Sequence, residues 1–337
     1  MNKFVGPALF CLALTLGPGA RAQTALTGAG ATFPAPLYQK WIASFAQRSP
    51  GAAIEYKGIG SEAGAQALRT GQADFAASDV PLTDEQLRTF PAPVRHIPTV
   101  VGGVVPIYHI DGLVRDLRFT PEILAGIYLG KITHWNDPLI RGVNKGLALP
   151  NREIRVVHRS DGSGTTYIWT DYLSKVSPEW RSAAGSATQI RWPVGAGANG
   201  NEGVAEAVRN TSDSIGYVEF IYALQSHLGY GAVRNAAGRF VQASLESLEA
   251  AASGAGTDQA GLRASITNAA AARAYPIASF TYFLVPEKIQ DARKAGLLSA
   301  FLQWALTVGQ RQSAALGYAA LPDGIAMRAL EALKENR

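Results

Sequence analysis

Short apolar runs of extended character alternate with stretches of helical period along almost the whole chain, and this alternation most narrows the choice of fold. Residues 36–49 place Leu37, Trp41, Ile42 and Phe45 on one helical face, and a strand is expected over 53–57. A helix over 61–70 ends at Gly71, and 74–78 reads as a short buried strand. Thr83 to Gln86 forms a capping-box signature, and His96 to Ile110 is a long apolar extended run. Thr120-Pro121 opens a helix, 154–158 reads as a strand and 165–176 as a helix. Strands are expected again at 215–220 and 277–285, and the chain from Gly296 onward reads as mostly helical. The Ala/Gly/Ser-rich stretch 247–274 reads as surface helices and loops. Alternation of this kind predicts an α/β protein with largely parallel sheets, and 337 residues favour two lobes over one small core.

The first residues read as a targeting segment. Lys3 precedes an apolar run, Phe4 to Leu16, broken by Gly17-Pro18-Gly19. Ala20-Arg21-Ala22 then supplies a small-x-small cleavage signal, with Gln23 as the expected mature N-terminus of an exported protein. A membrane anchor would need about 20 apolar residues. Cys11, the only cysteine, lies in that run with Phe10 before it, which does not fit a lipoprotein site. The mature chain therefore has no thiol chemistry and no disulfide, and its core alone must hold it. Losing Lys3 and Arg21 takes the formal charge from +5 to +3, with no basic run, which disfavours a nucleic-acid partner and suits an anion.

Three segments carry the chemistry, each joining an extended run to a helix. The first, Gly28 to Pro36, supplies glycines, the Thr32 hydroxyl and amides at a helix start; alone it reads as an ordinary tight turn. The second, Gly58 to Gly64, places Ser61 as a helix cap. Its loose G-x-G-x-x-A match to a dinucleotide fingerprint is weak, because the strand before it is short and nicotinamide cofactors are not expected outside the cytoplasm. The third, Arg159 to Thr166, is the most informative. Arg159 offers a planar donor fork that Asp161 would brace. Ser163 and Thr165 add hydroxyls, Gly162 and Gly164 allow close approach, and the following helix turns its positive end to the loop. Together these read as an anion site.

Neither a Walker loop nor a G-x-S-x-G elbow is present here, since no Gly-Lys-Ser/Thr follows and Asp161 stands two before Ser163. The five histidines, His96, His109, His134, His158 and His227, lack metal-ligand spacing and read as surface or satisfied core residues. No cofactor and no metal are expected. The loop from Gly195 to Gly203 carries no ligand role in this reading, with Asn201 as a helix cap.

These segments resemble the phosphate-binding proteins of ABC phosphate importers over nearly the whole mature chain. The matching stretches are residues 26–36, 58–61, 77–79, 101–105, 127–132 with Trp135, 161–165, 215–219 and 321–323. The resemblance implies a two-lobed periplasmic binding protein of the type II kind, with a ligand cleft between lobes. It implies a discontinuous N-terminal lobe: 1–22 as signal peptide, 23–108 with 275–337 as lobe I, and 109–274 as lobe II. It further implies one dehydrated inorganic phosphate held by hydrogen bonds alone, a permease partner in the inner membrane, a monomer and no catalysis. Carried over residue by residue, the cage is Thr32 and the Phe33 amide, Ser61, Asp79 as acceptor of a ligand proton, Arg159 braced by Asp161, and Ser163, Gly164 and Thr165. Glu62 departs from the small residue that many relatives carry and is expected to face solvent. The alternatives are a secreted phosphatase-like enzyme, which would need a nucleophile with an adjacent base or metal ligands, and a binder of another oxyanion such as sulfate.

Overall fold

The longest strand organises the molecule. Val94 to His109 is extended throughout and buried from His96 to Tyr108. Sixteen residues at about 3.3 Å each give a rod of about 50 Å, several times the usual strand. The structure is a computed structural model that describes residues 24–113, 115–256, 262–263 and 265–334. The expected leader, 1–22, and the mature start at Gln23 lie outside the described residues.

Twelve strands are described: β1 Thr24–Gly30, β2 Ala52–Gly58, β3 Phe75–Ser78, β4 Val94–His109, β5 Arg118–Phe119, β6 Arg155–Arg159, β7 Ala196–Ala198, β8 Ser214–Glu219, β9 Gly229–Tyr230, β10 Ala232–Arg234, β11 Phe240–Val241 and β12 Ala278–Pro286. Nine of them form one sheet in the order β2-β1-β3-β12-β4-β8-β6-β7, with β9 also on β4; β11-β10-β5 form a small second sheet. The β4 strand changes partner midway. From Val94 to Gly103 it pairs with β12, and from Val104 to His109 with β8. One half of the sheet thus holds the beginning and end of the chain, and the other holds its middle.

The alternation is as expected, but the sheet is mixed rather than largely parallel. Pairs served by helical crossovers are parallel, namely β1 with β2 and β3, and β6 with β7 and β8. The pairs that carry the chain between halves are antiparallel, namely β12 with β3 and β4, and β4 with β8. Strand direction is set by how the chain returns, which apolar periodicity does not encode.

Each half has its own aromatic anchor. In the first, Tyr38 stacks on Phe283 at 4.3 Å, and Trp41 beside it donates its ring N–H to Gly309 O at 2.8 Å. In the second, Trp169 lies flat on Tyr217 at 5.0 Å, edged by Tyr128 and Trp192. Each such ring contributes about 1.5–3 kcal/mol by burial, and none of this requires a disulfide. The Leu245–Ala252 helix is not wholly superficial, because Leu248 and Ala251 are buried and Leu248 packs over Gly103. Among the described residues, no helix is long and apolar enough to cross a membrane.

Candidate functional site

The ends of β1, β3 and β6 and the starts of four helices meet at one place between the halves. Ligands of α/β sheets bind outside the carboxyl ends of parallel strands, where helix N-termini point. The helices are Ala35–Arg48, Ser61–Arg69, Gly164–Val176 and Gly200–Arg209. Each first turn leaves amide N–H groups without partners in its own helix. Contact across the halves is so close that side chains are excluded. A Cβ on Gly164 would stand 2.4 Å from both Asp79 Oδ2 and Ser61 Oγ, and one on Gly60 would stand 2.8 Å from Gly162 O.

Arg159 closes β6 and is buried. Its Nε donates to Asp161 Oδ1 at 2.7 Å and its Nη2 to Asp161 Oδ2 at 2.5 Å. The brace expected from sequence is therefore present. Burial by itself would raise the Asp161 carboxyl, but the Arg159 hydrogen bonds and charge, with the Gly200 N–H at 3.1 Å, hold it below its usual range. The remaining guanidinium nitrogen, Nη1, is buried and meets no acceptor among the described residues. A guanidinium cannot shed that donor's proton, so the group calls for an anion.

Asp79 follows β3 and is also buried. Its Oδ1 accepts the Thr281 hydroxyl at 2.7 Å, and its backbone N–H donates to Ser61 Oγ at 3.2 Å. Burial pushes this carboxyl up to about 7, against the opposing pull of Thr281, the Arg159 charge and Ser61. Thr281 was not singled out in the sequence; it sits in an apolar strand segment, where one hydroxyl leaves the period unchanged.

Ser163 caps the Gly164–Val176 helix, its Oγ accepting from Thr166 N at 3.1 Å. Gly164 and Thr165 then begin the first helical turn, with Gly164 against Ser61 and Asp79. Phe33 packs its ring over Gly102 and accepts the Tyr318 hydroxyl on its carbonyl at 2.6 Å, which fixes the 28–36 turn. The segments that carry the residues singled out by the resemblance thus lie together at this place.

One expectation requires correction. Asn201 is not a cap: Asn199 holds that position, and Asn201 is buried in the first turn with its amide between Thr32 Oγ1 at 2.9 Å and Thr165 Oγ1 at 3.1 Å. Sequence reading missed it, and its one signal was a polar residue in the Gly-flanked first turn of a helix. Glu62 is exposed, as expected, and it also reaches across the cleft mouth. Its carboxylate accepts the Thr188 hydroxyl at 3.1 Å, and its N–H donates to Gly162 O at 3.2 Å. The histidines are scattered: His96 accepts the Leu82 N–H at 2.9 Å, and His158 stacks on Trp192 at 4.7 Å.

Residues 17–308 match the PBP superfamily domain. A phosphate-binding protein PstS from Xylella fastidiosa (strain Temecula1) is 43% identical over 302 residues, spanning 89% of this chain and 82% of that protein. This chain belongs to the phosphate-binding protein PstS family. Solved structures agree in fold. A high-affinity periplasmic phosphate-binding protein, PfluDING, bound with phosphate, aligns with a TM-score of 0.72 at 22% identity, over 90% of this chain and 92% of that one. An ABC-type phosphate transport receptor from Vibrio cholerae aligns with a TM-score of 0.56 at 19% identity, over 88% and 100%. The PstS family fold is two-lobed, and the site described above lies where the lobes of this chain meet.

Proposed function

We propose that this chain is an exported substrate-binding protein that captures one inorganic phosphate between its lobes and hands it to an ABC permease in the inner membrane. The observation that carries the reading is the buried Arg159 Nη1, which has no partner among the described residues, held by Asp161 and ringed by helix N-termini, with Asp79 as a facing carboxyl. Donors from Thr32, Phe33 N–H, Ser61, Arg159, Ser163, Gly164 N–H and Thr165 hold the anion's bare oxygens, and Asp79 takes the protonated one. Lobe I comprises 23–108 and 275–337, and lobe II 109–274; the partner change of β4 at Gly103–Val104 supports a crossing in this region. The leader-like 1–22, together with the periplasmic protein among the structural relatives, supports a periplasmic location. The protein acts as a monomer, without cofactor or turnover.

Calorimetry of phosphate-stripped protein against phosphate, sulfate and arsenate tests this. One phosphate per chain, with arsenate competing and sulfate rejected, is the expected result. Equal binding of sulfate would favour a general oxyanion site, and steady phosphate release from a chromogenic ester would favour a phosphatase.

A further inference from the structure

We infer that Asn201 is a positioning residue that fixes the donor sense of two hydroxyls in the cage and ties that choice to lobe closure. The inference deepens the phosphate reading above and rests on it. Asn201 is fully buried, and its Oδ1 accepts from Glu219 N at 2.9 Å. A backbone N–H can only donate, so the amide oxygen must face Glu219 and the NH2 must face the other way. That NH2 has two hydrogens and two neighbours, Thr32 Oγ1 at 2.9 Å and Thr165 Oγ1 at 3.1 Å. Each hydroxyl is thereby an acceptor toward Asn201, and its own hydrogen is left to point elsewhere. Neither hydroxyl donates to a protein group among the described residues.

The chain of polarity therefore runs one way, from the Glu219 N–H through Asn201 into Thr32 and Thr165, and leaves two O–H donors for a ligand. A ligand oxygen met by them must be bare. A protonated ligand oxygen is steered to Asp79 instead, which sorts the anion's oxygens and so its orientation. The two hydroxyls lie 133 residues apart, on segments assigned to different lobes, so Asn201 bridges them only when the lobes are together. Tyr222 adds a second tie at the same point, donating its hydroxyl to Thr32 O at 2.7 Å.

The test is a thermodynamic cycle read by phosphate calorimetry. Asn201→Ala should weaken phosphate binding about tenfold, because both hydroxyls regain free rotation. Asn201→Asp has the same shape and keeps the acceptor for Glu219 N–H, but offers the hydroxyls only an acceptor. They would turn toward it, and binding should weaken further than in Asn201→Ala. In a Thr32→Val/Thr165→Val background, Asn201→Ala should change affinity less than about twofold, since residues acting through one another are non-additive. An equal factor in both backgrounds would mean that Asn201 acts through general stability, and the assignment falls. So does an Asn201→Asp protein that binds as tightly as wild type. Wild-type protein that gives no phosphate isotherm overturns the phosphate reading, and the assignment with it.

Discussion

At the residue scale, the site joins a cation, one of whose buried donor nitrogens has no partner among the described residues, to a carboxyl whose pKa burial raises. Arg159→Ala should cost about 2–5 kcal/mol of phosphate binding, as truncating one member of a buried charge pair does. Arg159→Lys should recover only part, because an ammonium cannot reproduce the fork that grips Asp161; calorimetry on both variants measures it. Asp79 offers a sharper check. Its folded pKa of about 7 lies above its unfolded value near 3.8, so the folded chain holds the proton longer. Its stabilising share is complete below about pH 4 and fades as pH rises to about 7. The shift corresponds to on the order of 4 kcal/mol. Phosphate-stripped Asp79→Asn should therefore gain stability over wild type between pH 4 and 8, read as melting temperature against pH. A parallel course of the two curves would place the titration elsewhere. The same variant should reject sulfate less well, since an amide donates where a carboxylate repels a fully ionised anion. Unchanged discrimination in competition titrations would leave Asp79 with a structural role alone.

At the element scale, four helix N-termini face the site, and their spacing is set by absent side chains. Gly164→Ala would put a methyl 2.4 Å from Asp79 Oδ2 and Ser61 Oγ, groups that belong to the opposite half. The helix itself should tolerate Ala better than Gly. Phosphate affinity should fall at least tenfold, by roughly 1.4 kcal/mol or more, while the phosphate-free melting temperature holds or rises. Wild-type affinity would show that the halves do not close this far on the ligand. Such elements were readable in advance where one local rule decides them. Thr83 to Gln86 forms the reciprocal cap that its residues spell, and Thr120-Pro121 opens its helix as expected. Strand direction was not readable, because β12 and β8 run as they do only to bring the chain back through the middle of the sheet. Asn201 was also hidden, because its three partners are distant in sequence.

At the scale of the molecule, polar ties between the two halves include Glu62 with Thr188, Arg263 with Asp84, Asn201 with Thr32, and Tyr222 with the Thr32 carbonyl. A ligand touching both halves favours this arrangement over an open one. Small-angle scattering should show a larger radius of gyration for phosphate-stripped protein than for the phosphate complex. Identical curves would mean that the halves stay together without the anion.

The β4 strand has a consequence for how the protein comes apart. Two lobes joined by loose linkers could melt separately, but here each half completes its sheet with part of one rod. Val104 N–H donates to Ile277 O at 2.8 Å, and Tyr275 hydroxyl to Val104 O at 2.9 Å, so ties from the returning chain continue across the point where β4 changes partner. If one half were to unfold, it would strip an apolar edge from the other and expose buried strand on both sides of Gly103. Heat should therefore dissolve both halves in a single cooperative transition, and a calorimetric scan should give one endotherm whose van't Hoff and calorimetric enthalpies agree.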